Sequence, residues 1–278
     1  MKKFFAILLI AGMGSFVMNS CQKSSDVKLT NNQEVSTLHS LGCILLPADE
    51  YAKIPVAKDP VGFASKASVM LNVPPVGDQG GEGSCVSFGT TYDGRSIDWQ
   101  AGHPAAWSQS LNIFSPEFVY NQIKARKACS SGAYVTAGLD LLKSKGVCRW
   151  SLMPYTDVSC TTMPNATQLA DALNYKIAGY STVTRTTAGI KAQLDAGKPV
   201  IVAGNVNSAF EYLANGAVLT TFVGSSLGGH CYCVVGYDDT KNAFKFMNSW
   251  GTSWASSGFG WIGYGYESTW WSEAYVIN

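Results

Sequence analysis

Residues 247–264 read MNSWGTSWASSGFGWIGY, a stretch dense in tryptophan, glycine and small polar residues. Asn248 follows residues 244–247 (FKFM), which predict a strand, and Trp250 and Trp254 flank a glycine turn. Tryptophans at this density are more often packed in a core or an interface than engaged in chemistry. By itself the stretch predicts a strand followed by a tight turn packed with aromatic rings.

A second informative stretch lies just before it, where residues 228–239 read GGHCYCVVGYDD. The run 231–237 predicts a buried strand with His230 at its start, and a single histidine there is more often structural than catalytic. Cys231 and Cys233 alternate along this strand and share one face, which favours two buried free thiols over a bridge between them.

The third stretch, residues 73–89, reads VPPVGDQGGEGSCVSFG and combines a glycine-rich loop with the start of a predicted helix over 85–100. Cys85 falls where the loop becomes the helix. The positive end of the helix dipole and the unsatisfied N–H groups there lower the pKa of a thiol. Cys85 is therefore a candidate nucleophile, although a lone cysteine on a helix is more often a small core residue.

Together the three stretches resemble the papain-like cysteine peptidases, in which a catalytic cysteine is followed ~130–150 residues later by a histidine and then an asparagine. His230 follows Cys85 by 145 positions and Asn248 follows it by 163, in the same order. The strings NSWGTSW and GFGWI within 248–262 are similar to the most recognisable stretch of that family. The resemblance covers residues 67–278. It implies an α+β, papain-like two-lobed fold, with the active-site cleft between a helical N-terminal lobe and a β-rich C-terminal lobe.

The resemblance also implies a catalytic role for each matching residue. Cys85 would be the nucleophile, His230 the general base and acid, and Asn248 the group that holds the imidazole ring. Gln79 would stabilise the oxyanion together with the backbone N–H of Cys85, and Trp250 would shield the Asn–His hydrogen bond from water. The implied enzyme is a cysteine-type peptidase, expected to be an endopeptidase, that works through a thiolate–imidazolium pair and an acyl-enzyme intermediate.

Glu82 and Val86 depart from the family pattern. The family usually has a cysteine three residues before the nucleophile and an aromatic residue directly after it, and neither is present here. We expect Glu82 to be exposed near the cleft and to favour basic substrate residues. The alternative is a solvated loop charge without a role.

The substrate groove is expected to include Ser131, Gly132 and Gly229. Residues 129–132 read CSSG, which resembles the family's cysteine followed by a glycine pair that binds substrate backbone, with one glycine of the pair kept. Gly229 comes directly before His230, so the neighbouring pocket has no side chain at that position.

The remaining cysteines leave several pairings open. Because Glu82 takes the position of its usual partner, the resemblance implies that Cys129 bridges to either Cys148 or Cys160, or stays free. Cys43 has two interpretations: residues 36–66 cover the cleft with Cys43 packed near it, or Cys43 is a small apolar residue, which is the favoured one. No CxxC pair or second histidine cluster indicates a metal site, and no cofactor is expected.

Residues 1–21 predict an export signal, because two lysines precede an apolar run from Phe4 to about Val17 and Cys21 closes it. A cysteine at this place resembles the bacterial lipoprotein pattern, in which it is lipidated. Plain secretion and a retained anchor helix are the alternatives. Residues 22–66 form a polar tether and a short N-terminal segment, a possible propeptide. The peptidase domain spans 67–278, with a helical lobe over about 67–175 and a β lobe over about 176–278.

Composition excludes some classes of function. The 278 residues carry 20 Lys+Arg against 19 Asp+Glu, and a net charge of +1 argues against binding nucleic acid. We expect a monomer in the cell envelope, lipid-anchored to a bacterial membrane or otherwise periplasmic or secreted, that acts on peptide or protein substrates. The alternatives are an exopeptidase or a cell-wall peptide amidase with the same catalytic groups, or a non-catalytic peptide-binding relative.

Overall fold

The structure, a computed structural model, describes residues 39–61 and 66–278. The predicted export signal with Cys21, and the tether up to residue 38, lie outside the described residues. Within the described ranges, no helix combines the length and the apolar character that crossing a membrane requires.

Helices prevail in the first half of the described chain. The helix predicted from Cys85 continues to Gly102 in three consecutive parts, of which the middle one is π-helical. The helical elements up to residue 175 are α1 (Ala48–Tyr51), α2 (Cys85–Ser87), the π-helix Phe88–Arg95, α3 (Ser96–Gly102), α4 (Pro116–Ile123), α5 (Val135–Ser144), a 3₁₀ turn at Trp150–Leu152, α6 (Ala166–Ala172) and a 3₁₀ turn at Leu173–Tyr175.

Local signals in the sequence set where these helices begin and end. The Ser115 hydroxyl accepts a hydrogen bond from the backbone N–H of Phe118 at 3.0 Å, and Pro116 is the first helical residue of α4. Helix α5 ends just before Gly146, whose φ of 79° lies in the left-handed region. Both boundaries therefore follow from signals in the local sequence.

Strands prevail in the second half, where seven strands form one eight-stranded sheet together with a strand from the first half. The strands are β1 (Ser68–Met70), β2 (Tyr180–Thr182), β3 (Val200–Val206), β4 (Val218–Leu219), β5 (Gly228–Asp238), β6 (Ala243–Met247), β7 (Phe259–Gly263) and β8 (Glu273–Ile277). Their order is β2-β8-β3-β5-β6-β7-β4, with β1 also paired to β5. Only the β4–β7 pair is parallel among the described strands. Three short helices lie between strands, α7 (Thr187–Asp195), α8 (Ser208–Glu211) and α9 (Glu267–Trp270). The predicted α+β class is confirmed.

Both faces of the sheet are covered, which explains the nearly continuous apolar runs of its central strands. The helix that begins at Cys85 and continues to Gly102 is here called the Cys85 helix. On β3, Ile201 and Ala203 belong to the core between the sheet and this helix, whereas Val200 and Val202 belong to a second core on the opposite face of the sheet. Cys231 and Cys233 lie in the first of these cores as buried free thiols, as their spacing predicts.

The Cys85 helix packs directly on β3 and β5 through two glycines. A Cβ at Gly89 would lie 2.8 Å from the sulfur of Cys231, and a Cβ at Gly94 would lie 2.8 Å from the side chain of Ile201. Larger side chains there would push the helix off the sheet. The two glycines therefore bring the start of the helix close to the part of β5 that carries His230.

A disulfide joins Cys129 to Cys160, and Cys148 is a buried free thiol. The two bonded residues are 31 positions apart. A closed loop of this length contributes roughly 4 kcal/mol to stability in the chain-entropy model. The bridge thus holds the loop that follows α4 against the segment that precedes α6.

Candidate active site

His230 and Asn248 are joined by a hydrogen bond in the interior of the protein. His230 Nε2 lies 2.8 Å from Asn248 Oδ1, which also accepts from the backbone N–H of Ser249 at 2.9 Å. These contacts fix the orientation of the imidazole ring. Its other nitrogen, Nδ1, is buried, and no hydrogen-bond partner reaches it within the described residues. Nδ1 is therefore the nitrogen available to a reacting group.

Trp250 covers the histidine–asparagine pair. Its ring stacks on the His230 imidazole with centroids 4.6 Å apart and 29° between the planes. The edge of Phe210 packs against both rings, at 5.5 Å from Trp250 and 5.7 Å from His230. Because Trp250 is only 3% exposed, this aromatic wall keeps water away from the pair.

Gln79 is held in one orientation by the segment that follows Asn248. The Ser249 hydroxyl donates to Gln79 Oε1 at 2.7 Å, and the Ser249 carbonyl accepts from the Gln79 backbone N–H at 2.8 Å. With its oxygen fixed in this way, the Gln79 amide group is directed towards the groove. Sequence reasoning did not single out Ser249. Its position between Asn248 and Trp250 was the signal that could have found it.

Cys85 is the first residue of α2 and is fully buried. Burial raises the pKa of its thiol to about 11, against backbone hydrogen bonds from Cys231 and Gly42 that lower it. Burial likewise lowers the pKa of His230 to about 4, against the Asn248 hydrogen bond that raises it. Between these two values both groups are neutral. The expected thiolate–imidazolium pair is thus not favoured in this covered state of the site.

The cover is an extended N-terminal segment, residues 39–46, here called the arm. The backbone N–H of Cys43 donates to the Gly229 carbonyl at 3.1 Å. Ala133 makes two backbone hydrogen bonds with the arm. Its N–H donates to the Gly42 carbonyl at 2.8 Å, and its carbonyl accepts from the Ile44 N–H at 2.9 Å. The arm therefore lies between Ala133 on one side and Gly229 on the other, in what is here called the groove, and it pairs with Ala133 in an isolated β-bridge. The structure supports both interpretations of Cys43: its segment covers the cleft, and its side chain is a small buried residue in the core beside Cys85.

The arm also occupies the hydrogen-bonding groups of the site. Gln79 Nε2 donates to the Ser40 carbonyl at 3.1 Å, and the His39 ring stacks on Trp250 with centroids 4.3 Å apart. A Cβ at Gly42 would overlap the carbonyl oxygen of Gly83, in the loop before the nucleophile. The amide donor and the aromatic wall are thus both in contact with the arm.

Two of the three expected groove residues face the arm. A Cβ at Gly132 or at Gly229 would overlap the arm backbone. Ser131 turns instead into its own loop, where its hydroxyl accepts from the Arg126 N–H at 2.9 Å and its carbonyl accepts from the Tyr120 hydroxyl at 2.8 Å. Ala133, which sequence reasoning missed, makes the backbone contacts that were expected of Ser131.

Glu82 is buried, with 1% of its surface exposed, so the prediction of an exposed charge is wrong. The loop turns its side chain inward, and a carboxylate oxygen and the sulfurs of Cys129 and Cys160 all lie within 4.8 Å of one another. Burial and the nearby Glu117 raise the pKa of Glu82 to about 7. The proposed preference for basic substrate residues loses its basis, because an inward carboxylate does not face the groove.

Among the described residues, Glu82, Cys129 and Cys160 form one group of three potential metal ligands. The two sulfurs are bonded to each other, so they offer no thiolate to a metal.

The arrangement is that of a nucleophilic-cysteine hydrolase site: a cysteine at a helix start, a histidine oriented by an asparagine, and an amide donor beside them. Over residues 62–276 the chain matches the family described as "Papain family cysteine protease", and it belongs to that family.

Individual relatives agree with this assignment. The chain is 31% identical over 203 residues to cathepsin B-like CP2 of Giardia intestinalis, covering 67% of this chain and 63% of that protein. It is 27% identical over 187 residues to gamete and mating-type specific protein A of Dictyostelium discoideum, covering 66% of this chain and 39% of that protein. The chain thus spans less than two thirds of the length of these curated relatives. Among solved structures, xylellain, a cysteine protease from Xylella fastidiosa, is similar with a TM-score of 0.73 and 26% identity over 87% of this chain and 97% of that one.

Proposed function

We propose that the protein is a cysteine peptidase that hydrolyses internal peptide bonds of peptide or protein substrates. The observation that carries this proposal is the arm itself. An extended peptide backbone lies in the groove, bonded to Ala133 and Gly229, with one of its carbonyls on the amide of Gln79. A groove that binds backbone in this way, next to Cys85 and His230, fits a peptide as the reacting molecule.

In the proposed mechanism, His230 Nδ1 first takes the proton of the Cys85 thiol, and the resulting thiolate attacks the substrate carbonyl carbon. Gln79 Nε2 and the Cys85 backbone N–H donate to the oxyanion that forms. His230 then gives the proton to the leaving amine, and an acyl-enzyme remains. Water, deprotonated by His230, attacks the acyl-enzyme and releases the acid and the free thiol. Asn248 holds the imidazole ring in place throughout.

We further propose that the N-terminal segment keeps the enzyme latent, as a propeptide would. The arm accepts the Gln79 amide hydrogen bond, and Cys85 and His230 are buried and neutral in this state. Water that enters when the arm leaves removes the desolvation that opposes charge on both groups. Departure of the arm would therefore open the groove and also allow the thiolate–imidazolium pair to form.

The proposed location is the cell envelope, with Cys21 as the site of lipid attachment. The support is the sequence alone: two lysines, an apolar run and a cysteine at its end. The expected result is that the N-terminal peptide of the mature protein begins at Cys21 and carries acyl chains, and that Cys21→Ser abolishes membrane recovery. An unmodified N-terminus on a protein recovered from the medium would contradict the lipid anchor.

The activity is tested by incubating the protein with an unbiased peptide library and identifying the products by mass spectrometry. Cleavage within the peptides is the expected result. Release of terminal residues would indicate an exopeptidase instead, and cleavage confined to cell-wall peptides would indicate an amidase. The matched control is the same preparation after alkylation of its thiols with iodoacetamide. No cleavage by either the full chain or an arm-displaced variant would favour a peptide-binding role.

A further inference from the structure

The loop before the nucleophile, residues 77–84 and here called the oxyanion loop, is held together around a single hydroxyl group. The Tyr155 hydroxyl lies 2.7 Å from the Gln79 carbonyl, 2.7 Å from the Ser84 hydroxyl and 3.5 Å from Glu82 Oε2. A tyrosine hydroxyl has a single proton, so it can donate a full hydrogen bond to only one of these oxygens at a time. The Glu82 backbone carbonyl in turn accepts from Gln79 Nε2 at 2.9 Å. Glu82 thus touches the amide group of Gln79 directly, and its carboxyl contacts the hydroxyl that binds the Gln79 backbone.

The carboxyl of Glu82 is placed where a negative charge is poorly supported. Its second oxygen, Oε1, is buried, and no hydrogen-bond partner reaches it within the described residues. The side chain lies against the Cys129–Cys160 bridge. The titratable groups that face it are Glu117, Tyr120 and Lys124 from α4 and the residue after it, and Tyr155 and Asp157 from the segment before α6. Lys124 is the one cation among them, and its ammonium group donates to the Cys160 and Asn121 carbonyls.

We propose that Glu82 is a positioning residue for Gln79 and that it holds the oxyanion loop in its working geometry only while its carboxyl is neutral. When the Glu82 carboxyl is protonated, the Tyr155 hydroxyl continues to donate its hydrogen bond to the Gln79 carbonyl. An ionised one competes for that proton and is repelled by Glu117, so the loop must shift and carry Gln79 away from the oxyanion. The inference rests on the proposed function, because it takes Gln79 as an oxyanion donor.

The sign of the pH dependence follows from burial. Burial and Glu117 raise the pKa of Glu82 to about 7, so the neutral form prevails below this pH and is lost as the pH rises through it. Oxyanion stabilisation should therefore weaken on the alkaline side, separately from any titration of the cysteine and the histidine.

The test compares two reagents on the full-length chain with Gly42→Ala, a change expected to displace the arm from Gln79 because the added Cβ would overlap the Gly83 carbonyl. A peptide aldehyde forms a thiohemiacetal with Cys85 whose oxygen occupies the oxyanion hole, whereas alkylation by iodoacetamide requires the thiolate but not the hole. We expect the aldehyde affinity to fall by at least about tenfold, relative to the alkylation rate, as the pH rises from roughly 6 to 8.5. With Glu82→Gln, a neutral group of the same shape, this relative fall should disappear.

Two further variants keep the proposal falsifiable. Asp157→Asn removes a negative neighbour and should move the fall to lower pH, and Glu50→Gln, an exposed acid on α1, should leave it unchanged. If Glu82→Gln alkylates normally and still shows the full relative fall, the role of Glu82 is wrong. If iodoacetamide does not modify Cys85, or if His230→Ala does not slow the modification, the proposed function fails instead.

Discussion

Replacing Cys85 with alanine is expected to lower kcat/KM for a cleaved library peptide by at least about 10⁴-fold. The physical reason is that no acyl-enzyme can form without the sulfur. The nearby thiols of Cys231 and Cys233 are buried in the core between the helix and the sheet, so they cannot replace it. The measurement is the initial rate of release of a fluorogenic product under reducing conditions. A matched control is Cys148→Ala, which removes another buried free thiol and should retain the activity.

The same assay also tests whether Cys85 and His230 act together. His230→Ala should cost nearly as much as Cys85→Ala, and the double variant should cost little more than either alone, because the two groups act in one step. Cleavage that survives Cys85→Ala at more than a few per cent of the original rate would contradict the nucleophile assigned here.

Gly42→Ala is expected to raise the initial peptidase rate of the full-length chain by about ten- to a hundredfold. The added Cβ would overlap the Gly83 carbonyl, and the arm rather than the body of the domain should give way, because a few backbone bonds and stacked rings hold it. An overlap in a packed interface typically costs ~1–3 kcal/mol, and each 1.4 kcal/mol changes an equilibrium about tenfold. The rate is measured directly after purification, with the chain length verified by mass spectrometry.

The control for this variant is Gly102→Ala at the end of α3, where an added Cβ has no atom within 4 Å. It should behave as the unmodified chain does. Equal rates for the Gly42→Ala variant and the unmodified chain would show that the arm does not limit access to the site. A lower rate would show that the arm supports the site rather than blocks it.

The sequence identifies the candidate catalytic groups better than it predicts their surroundings. Cys85, His230 and Asn248 could be singled out because three separate stretches together resemble a known family, whereas Cys85 or His230 alone would be taken for a structural residue. The helix that begins at Pro116 was predictable because a serine and a proline act locally on the backbone. Signals of this kind need only a few consecutive residues.

The errors concern residues whose surroundings come from distant parts of the chain. Glu82 looks like a surface charge in its own loop, and only the disulfide formed by residues 129 and 160 shows that it points inward. Ser249 acquires its role from Gln79, 170 positions earlier. The arm could not be placed from its own residues, because what holds it is the backbone of Ala133 and Gly229 rather than any pattern in the arm. Contacts made by backbone leave almost no trace in a single sequence.

That the arm belongs to the same chain as the groove sets how this protein can respond to its environment. An intramolecular ligand on a short connection acts at an effective concentration in the millimolar range. The connection is short here, because Ala57 already donates to the Thr182 carbonyl at 2.7 Å on the far side of α1. Dilution into a large volume would consequently leave the arm in the groove. Rebinding of the arm would be a first-order process, with a rate that does not depend on the protein concentration. Lasting activity would require an event that cuts or displaces the connection, after which a released arm would diffuse away and would no longer act at the intramolecular concentration.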